Sequence, residues 1–129
     1  MRVLIAEDDL VSRKIMLKIL KPYGECDVVM NGIEAVDAVY FSIKEKNPYT
    51  LICLDIMMPK IDGLSVLKTI RDLEKQEHLD ASKVIMTTAL DDEKVVREAF
   101  EVGADAYAAK PINKTKFYDV LRKFEILNE

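Results

Sequence analysis

Four short apolar runs in this chain each stop on residues able to do chemistry. Arg2–Ala6 (RVLIA) is followed by Glu7-Asp8-Asp9, and Leu51–Leu54 (LICL) by Asp55. Lys83–Thr87 (KVIMT) leads into Thr88, and Ala106–Ala109 (AYAA) into Lys110-Pro111. Asp55 is the most telling, because the apolar residues Ile56, Met57 and Met58 come directly after it. A carboxylate at the edge of a core is costly to ionise without a partner, so Asp55 has either a counter-charge or a task. Carboxylates brought together repel. Two of them about 4 Å apart, at an effective dielectric near 20, cost roughly 4 kcal/mol, and a cation relieves that. An all-oxygen set without imidazole or thiolate suits a hard divalent ion such as Mg2+. Lys110 and Thr88 suit an anion instead, the first as a point charge and the second as a hydroxyl donor. A metal and anion donors around one carboxylate describe an aspartate that carries a phosphoryl group.

For that chemistry the four run ends must meet, and the remaining pattern says how. The runs lack polar alternation, as expected of strands covered on both faces. Between them lie helical periods. Val11, Ile15, Met16, Ile19 and Leu20 form the first, ended by Lys21-Pro22-Tyr23-Gly24. Cys26–Met30 reads as a second strand, stopped by Asn31-Gly32 in ordinary turn chemistry. A second helix then turns Val36, Val39, Tyr40 and Ile43 inward and closes at Lys46-Asn47-Pro48. Asp62 can cap a third, with Leu64, Leu67, Ile70 and Leu73 on one stripe. Asp91 or Asp92 caps a fourth, with Val95, Val96, Ala99 and Phe100 inward and Gly103 as its stop. Asn113 caps the last, which carries Phe117, Val120, Leu121 and Phe124. Five strands alternating with five helices make an α/β fold, a doubly wound parallel sheet with helices on both faces and right-handed crossovers. Such sheets bind ligands at the carboxyl ends of their strands, where Glu7, Asp8, Asp55, Thr88 and Lys110 stand.

The totals narrow the alternatives. A chain of 129 residues, half of them apolar, suits one compact domain spanning 1–129. A net charge of −4 offers no basic face for nucleic acid. Cys26 and Cys53 sit inside apolar runs at neither zinc nor redox spacing, and are expected as reduced core thiols. The single histidine, His78, lies in the polar run EKQEHLD and reads as a solvated helix end, which disfavours histidine-based metallohydrolase and triad chemistries. No apolar run approaches the length of a membrane span and no signal peptide is legible, so a cytoplasmic protein without membrane partners is expected.

Glu7-Asp8, Leu54-Asp55 with Pro59 and Asp62-Gly63, Thr88-Ala89, Tyr107 and Lys110-Pro111 together resemble the receiver domain of two-component response regulators. The resemblance covers nearly the whole chain and implies a flavodoxin-like (βα)5 sheet of strand order 2-1-3-4-5. It implies that Asp55 accepts a phosphoryl group from a phosphohistidine on a sensor histidine kinase or histidine phosphotransfer protein. Asp8 would bind Mg2+ (or Mn2+ in its place) directly, Glu7 through water, and Met57 through its backbone carbonyl. Thr88 and Lys110 would contact phosphoryl oxygens, and Tyr107 would turn inward as Thr88 moves. The Lys110–Pro111 peptide would be cis, a geometry tolerable only before proline. A downstream target would read the fourth helix, fifth strand and fifth helix, in a monomer or a phosphorylation-dependent dimer, with no output domain in this chain. Met57 and Leu90, two residues past Asp55 and Thr88, are apolar and would hinder an attacking water, giving slow self-dephosphorylation. On the same ground a Mg2+-dependent aspartyl-phosphate hydrolase is disfavoured, since such enzymes place an acid where Met57 stands. A non-phosphorylated scaffold would lack one of Asp8, Asp55, Thr88 or Lys110.

Singly, each of these residues has a plainer reading. Asp55 could cap a loop and Glu7-Asp8-Asp9 could complement a helix dipole, as Asp9 is expected to do. Thr87 is expected to serve the strand alone. Lys110 is harder to dismiss, because it interrupts the apolar run AYAAKPI.

Overall fold

The computed structural model describes residues 1–89 and 93–126. Among these, strand and helix alternate: β1 Arg2–Ala6, α1 Leu10–Leu20, β2 Glu25–Val29, α2 Gly32–Lys44, β3 Leu51–Asp55, α3 Gly63–Gln76, β4 Lys83–Thr88, α4 Glu93–Val102, β5 Ala106–Ala109 and α5 Lys114–Lys123. The strands form one parallel sheet in the order β2-β1-β3-β4-β5. No helix among the described residues is long and apolar enough to cross a membrane.

Alternation along each strand divides the apolar runs between two layers. Leu4, Ile52, Leu54, Val84 and Met86 face α2 and α3, against Ala35, Val39, Val66, Leu67 and Ile70. Val3, Ile5, Cys53 and Ile85 face α1 and α5, against Met16, Ile19, Leu20, Phe117 and Leu121. Both faces are covered, so the central strands need no polar positions. Cys53 is buried, Cys26 is half-buried, and both are free thiols.

Each helix with a described start carries a side-chain cap on the connection that leads into it. Asp9, Asn31, Asp62 and Asn113 accept from the backbone N–H of Ser12, Glu34, Ser65 and Lys116 at 2.9 to 3.1 Å. The connections after β1, β2 and β5 are two to four residues long, which holds them over the sheet's carboxyl edge. Asp91 and Asp92, the expected caps of α4, lie outside the described residues, as does Leu90. Gly103 ends α4 at φ 125°, where a side chain would be strained.

Three expected inward residues face out. Val11, Tyr40 and Phe100 are 63%, 42% and 38% exposed. On α2 the buried positions are Gly32, Ala35, Val39 and Ser42, with the Ser42 hydroxyl donating to the Val39 carbonyl at 2.7 Å. Small residues let α2 lie close to the sheet, and Tyr40 sits on the far side of the helix. Both β3 and β4 run one residue beyond their apolar stretch, to Asp55 and Thr88. Asp55 pairs with Thr87 in the ladder. His78, as expected, is exposed just past α3.

Candidate functional site

The carboxyl ends of β1, β3 and β5 bring Glu7, Asp8, Asp55 and Lys110 together. Glu7 and Asp55 are 0% and 2% exposed, deeper than solvated acids lie, while Asp8 faces solvent. Carboxylate oxygens of the three lie within 4.8 Å of one another. Lys110 reaches in from the end of β5, its Nζ 2.8 Å from Glu7 and 2.9 Å from Asp55 Oδ2. The lysine thus bridges strands that β4 separates.

Backbone donors complete the arrangement. Asp9 N–H donates to Glu7 Oε2 and Met57 N–H to Asp55 Oδ1, each at 3.1 Å. The loop after Asp55 turns sharply back: Gly63 N–H donates to the Ile56 carbonyl at 2.9 Å. A Cβ on Gly63 would collide with the carbonyl oxygen of Asp55, so only glycine lets α3 start this close to the site. Gly32, which reads as turn chemistry in the sequence, has a similar duty. Its missing side chain makes room for the Ile61 carbonyl, seating the loop after β3 on the start of α2.

Charge dominates the chemistry here. Two buried carboxylates share one ammonium, and a third, Asp8, lies beside them. Burial pushes the Glu7 carboxyl up to about 7, with the Lys110 hydrogen bond opposing the rise and Asp55 adding to it. Burial also works to lower the Lys110 pKa, but its bonds to Glu7 and Asp55 prevail and hold it above the ordinary lysine value. The Lys110 ammonium lies 2.8 Å from both oxygens of Glu7, so that buried carboxylate has one cation and one backbone N–H as its donors. An excess of negative charge over the one ammonium and an all-oxygen ligand set fit a hard divalent cation. Glu7, Asp8 and Asp55 could hold one.

The other expected residues stand nearby in differing states. Thr88 is 1% exposed at the end of β4, and its carbonyl accepts from Lys110 N–H at 2.8 Å. Thr87, the ladder partner of Asp55, is fully buried with a hydroxyl that has no hydrogen-bond partner among the described residues. Lys110–Pro111 is cis. Met57 directs its side chain outward at 62% exposure. Tyr107 is also exposed, at 42%, and meets Phe100 edge-on with ring centres 6.4 Å apart. Sequence reasoning missed two points. These are the contact of Lys110 with Glu7, which only the fold reveals, and the packing duty of Gly32.

Comparison with known proteins agrees with this geometry. The family model for the response regulator receiver domain matches residues 3–122. The chain is 32% identical to hybrid signal transduction histidine kinase L of Dictyostelium discoideum over 95% of its own length, but spans only 7% of that kinase. It is 31% identical to the chemotaxis protein CheY of Halobacterium salinarum, covering 93% of this chain and 92% of that one. Among solved structures, the receiver domain of the Arabidopsis thaliana histidine kinase CKI1, complexed with Mg2+ and BeF3−, superposes with a TM-score of 0.80 at 28% identity. That match covers 98% of this chain and 90% of that one. With its five-stranded sheet, its acidic rim and these matches, the chain belongs to the response regulator receiver domain family.

Proposed function

We propose that this chain is a phosphorylation-activated two-component switch in which Asp55 is the phosphoryl acceptor. The observation that carries this reading is the Lys110 ammonium held 2.9 Å from Asp55 and 2.8 Å from Glu7 within a cluster of three carboxylates. An Asp55 oxygen attacks the phosphorus of a phosphohistidine on a kinase or phosphotransfer protein. The P–N bond breaks, the imidazole leaves with its electron pair, and an acyl phosphate forms. Asp8 and Asp55, with the Met57 carbonyl, would hold Mg2+ directly and Glu7 through water. The chemistry the ion supplies is neutralisation of charge on the transferring group. The BeF3− and Mg2+ bound by the CKI1 receiver support the same assignment.

Lys110 exchanges a carboxylate for the phosphoryl group, and the Thr88 hydroxyl donates to another of its oxygens. These contacts exist only in the phosphorylated state, so they can shift the population toward an active arrangement. Tyr107 then turns inward, altering the face made by α4, β5 and α5. Between β5 and α5 lies a groove of about 480 Å³ bordered by Tyr107, Pro111, Phe117, Val120 and Phe124, suited to a target segment. No hydrolytic turnover is assigned. The position two residues after Asp55 is Met57, whose thioether transfers no proton.

Intact mass after incubation with Mg2+ and a small acyl-phosphate donor tests the proposal. One phosphoryl group is gained with Mg2+, and none with a chelator or in Asp55→Asn. Gain in the Asp55→Asn variant, or none in the native protein even at short times, overturns it.

A further inference from the structure

The outward face of α2 has a composition that the phosphoryl chemistry does not use. Ile33, Asp37, Tyr40 and Lys44 lie along one stripe at the spacing of successive turns, with Phe41 at its edge. All are exposed: Ile33 44%, Tyr40 42% and Phe41 58%, with Asp37 and Lys44 also in solvent. The two rings meet edge-on at 5.6 Å, and the Lys44 ammonium sits 5.3 Å above the Tyr40 ring. This is an ordered apolar patch bounded by one acid and one base, on a helix whose opposite side is packed in the core.

We infer that this face joins two copies of the chain through an antiparallel α2–α2 contact. The charges determine the orientation. In a parallel pairing Asp37 would face Asp37 and Lys44 would face Lys44, which repels twice. Antiparallel pairing about a two-fold axis between Tyr40 and Phe41 sets Asp37 opposite Lys44 of the second copy, and the same pair recurs by symmetry. The separation of Asp37 and Lys44, about 10 Å along the axis, leaves two turns between them for four aromatic rings. Lys44 already draws on Glu77 at 3.3 Å, which orients its ammonium beside the patch. One helix pair buries less than the ~1,600 Å² of a standard interface, so the association is weak and concentration-dependent. It needs no phosphoryl group and lies apart from the groove beside Tyr107, so both surfaces can be engaged at once.

Sedimentation of the full chain at low salt, from about 10 µM to about 1 mM, reads the contact as a rise of the average mass toward twice the monomer's. Asp37→Lys and Lys44→Asp each lower the association constant by about tenfold or more, since each creates two like-charge contacts. The double variant Asp37→Lys with Lys44→Asp recovers the dimer, and an equimolar mixture of the two single variants forms a heterodimer that neither forms alone. Both substituted positions are at the surface, and circular dichroism verifies that the variants are folded. A native chain that stays monomeric throughout overturns the inference. So does a dimer that the single reversals leave unchanged, which would put the interface on another face.

Discussion

Lys110 is the only cation touching Glu7 and Asp55 among the described residues, and its replacement by methionine isolates what that contact does. At 2.8 and 2.9 Å and an effective dielectric near 20, each attraction amounts to roughly 6 kcal/mol. Desolvation of the ammonium offsets several kcal/mol of the total, and methionine keeps the apolar stem. Stranding two buried carboxylates then costs ~3–5 kcal/mol, a large share of the 5–15 kcal/mol typical of a domain. The loss depends on pH. The native state holds the Glu7 proton more tightly than the unfolded chain does, so the protein loses stability as pH rises from about 4.5 through about 7. Without Lys110 that window moves higher. At pH 8 the variant must carry both charges or a protonated Glu7, whereas at pH 5.5 Glu7 is already protonated in both proteins. Urea unfolding in chelator is therefore expected to show a midpoint lower by about 2 M at pH 8, and by less than half of that at pH 5.5. Added Mg2+ narrows the gap, because a second cation covers the same oxygens. Equal midpoints at pH 8, or one deficit at both pH values, would mean that Lys110 does not neutralise Glu7 and Asp55 in this way.

Three further outcomes follow from the same geometry. Gly63→Ala drives a Cβ into the Asp55 carbonyl and toward Ile56 Cα at 2.8 Å, so it costs ~2 kcal/mol or more in urea unfolding and weakens Mg2+ binding in the same sample. Stability falls as pH climbs above about 9, because burial raises the Cys53 thiol and the Tyr49 hydroxyl, and the unfolded chain releases those protons first. Urea midpoints at pH 7.5 and 10 check this, and a flat profile contradicts it. Beryllofluoride with Mg2+ is expected to carry the Tyr107 ring from its exposed position to a buried one, read by NMR of ring-labelled tyrosine with a soluble paramagnetic probe. Thr88→Ala abolishes that change, and an equally inward ring in the variant would remove Thr88 from the switch.

Much of this architecture is legible in the chain because parallel strands covered on both faces write themselves as unbroken apolar runs. RVLIA, LICL and KVIMT are such runs, and the polar residues that end them necessarily meet along one edge. Caps are equally plain: Asp62 and Asn113 each precede a periodic stretch. The inward face of α2 is less so. Its buried positions include Ala35 and Ser42, which carry little hydrophobic signal, while Tyr40 and Phe41 carry much and face solvent. Long-range polar contacts leave no periodic trace at all. Arg71 donates to the Gly103 carbonyl and pairs with Glu74 and Asp105, tying α3 to the end of α4, yet in sequence it is one more charge on a helix. Tyr49 is buried by donating to Asp27 from a loop that offers no pattern. Lys110 stands out by interrupting an apolar run, but its contact with Glu7 requires the fold.

Reductive trapping shows which carboxylate takes the phosphoryl group. Native protein is treated with Mg2+ and a small acyl-phosphate donor, reduced with borohydride, digested and mapped by mass spectrometry. An acyl phosphate is reduced to the alcohol, so homoserine is expected at position 55 and at no other carboxylate, dependent on Mg2+. Homoserine at Asp8, Asp9 or any other acid, or an unmodified Asp55 in a sample whose intact mass had risen by one phosphoryl group, would contradict it.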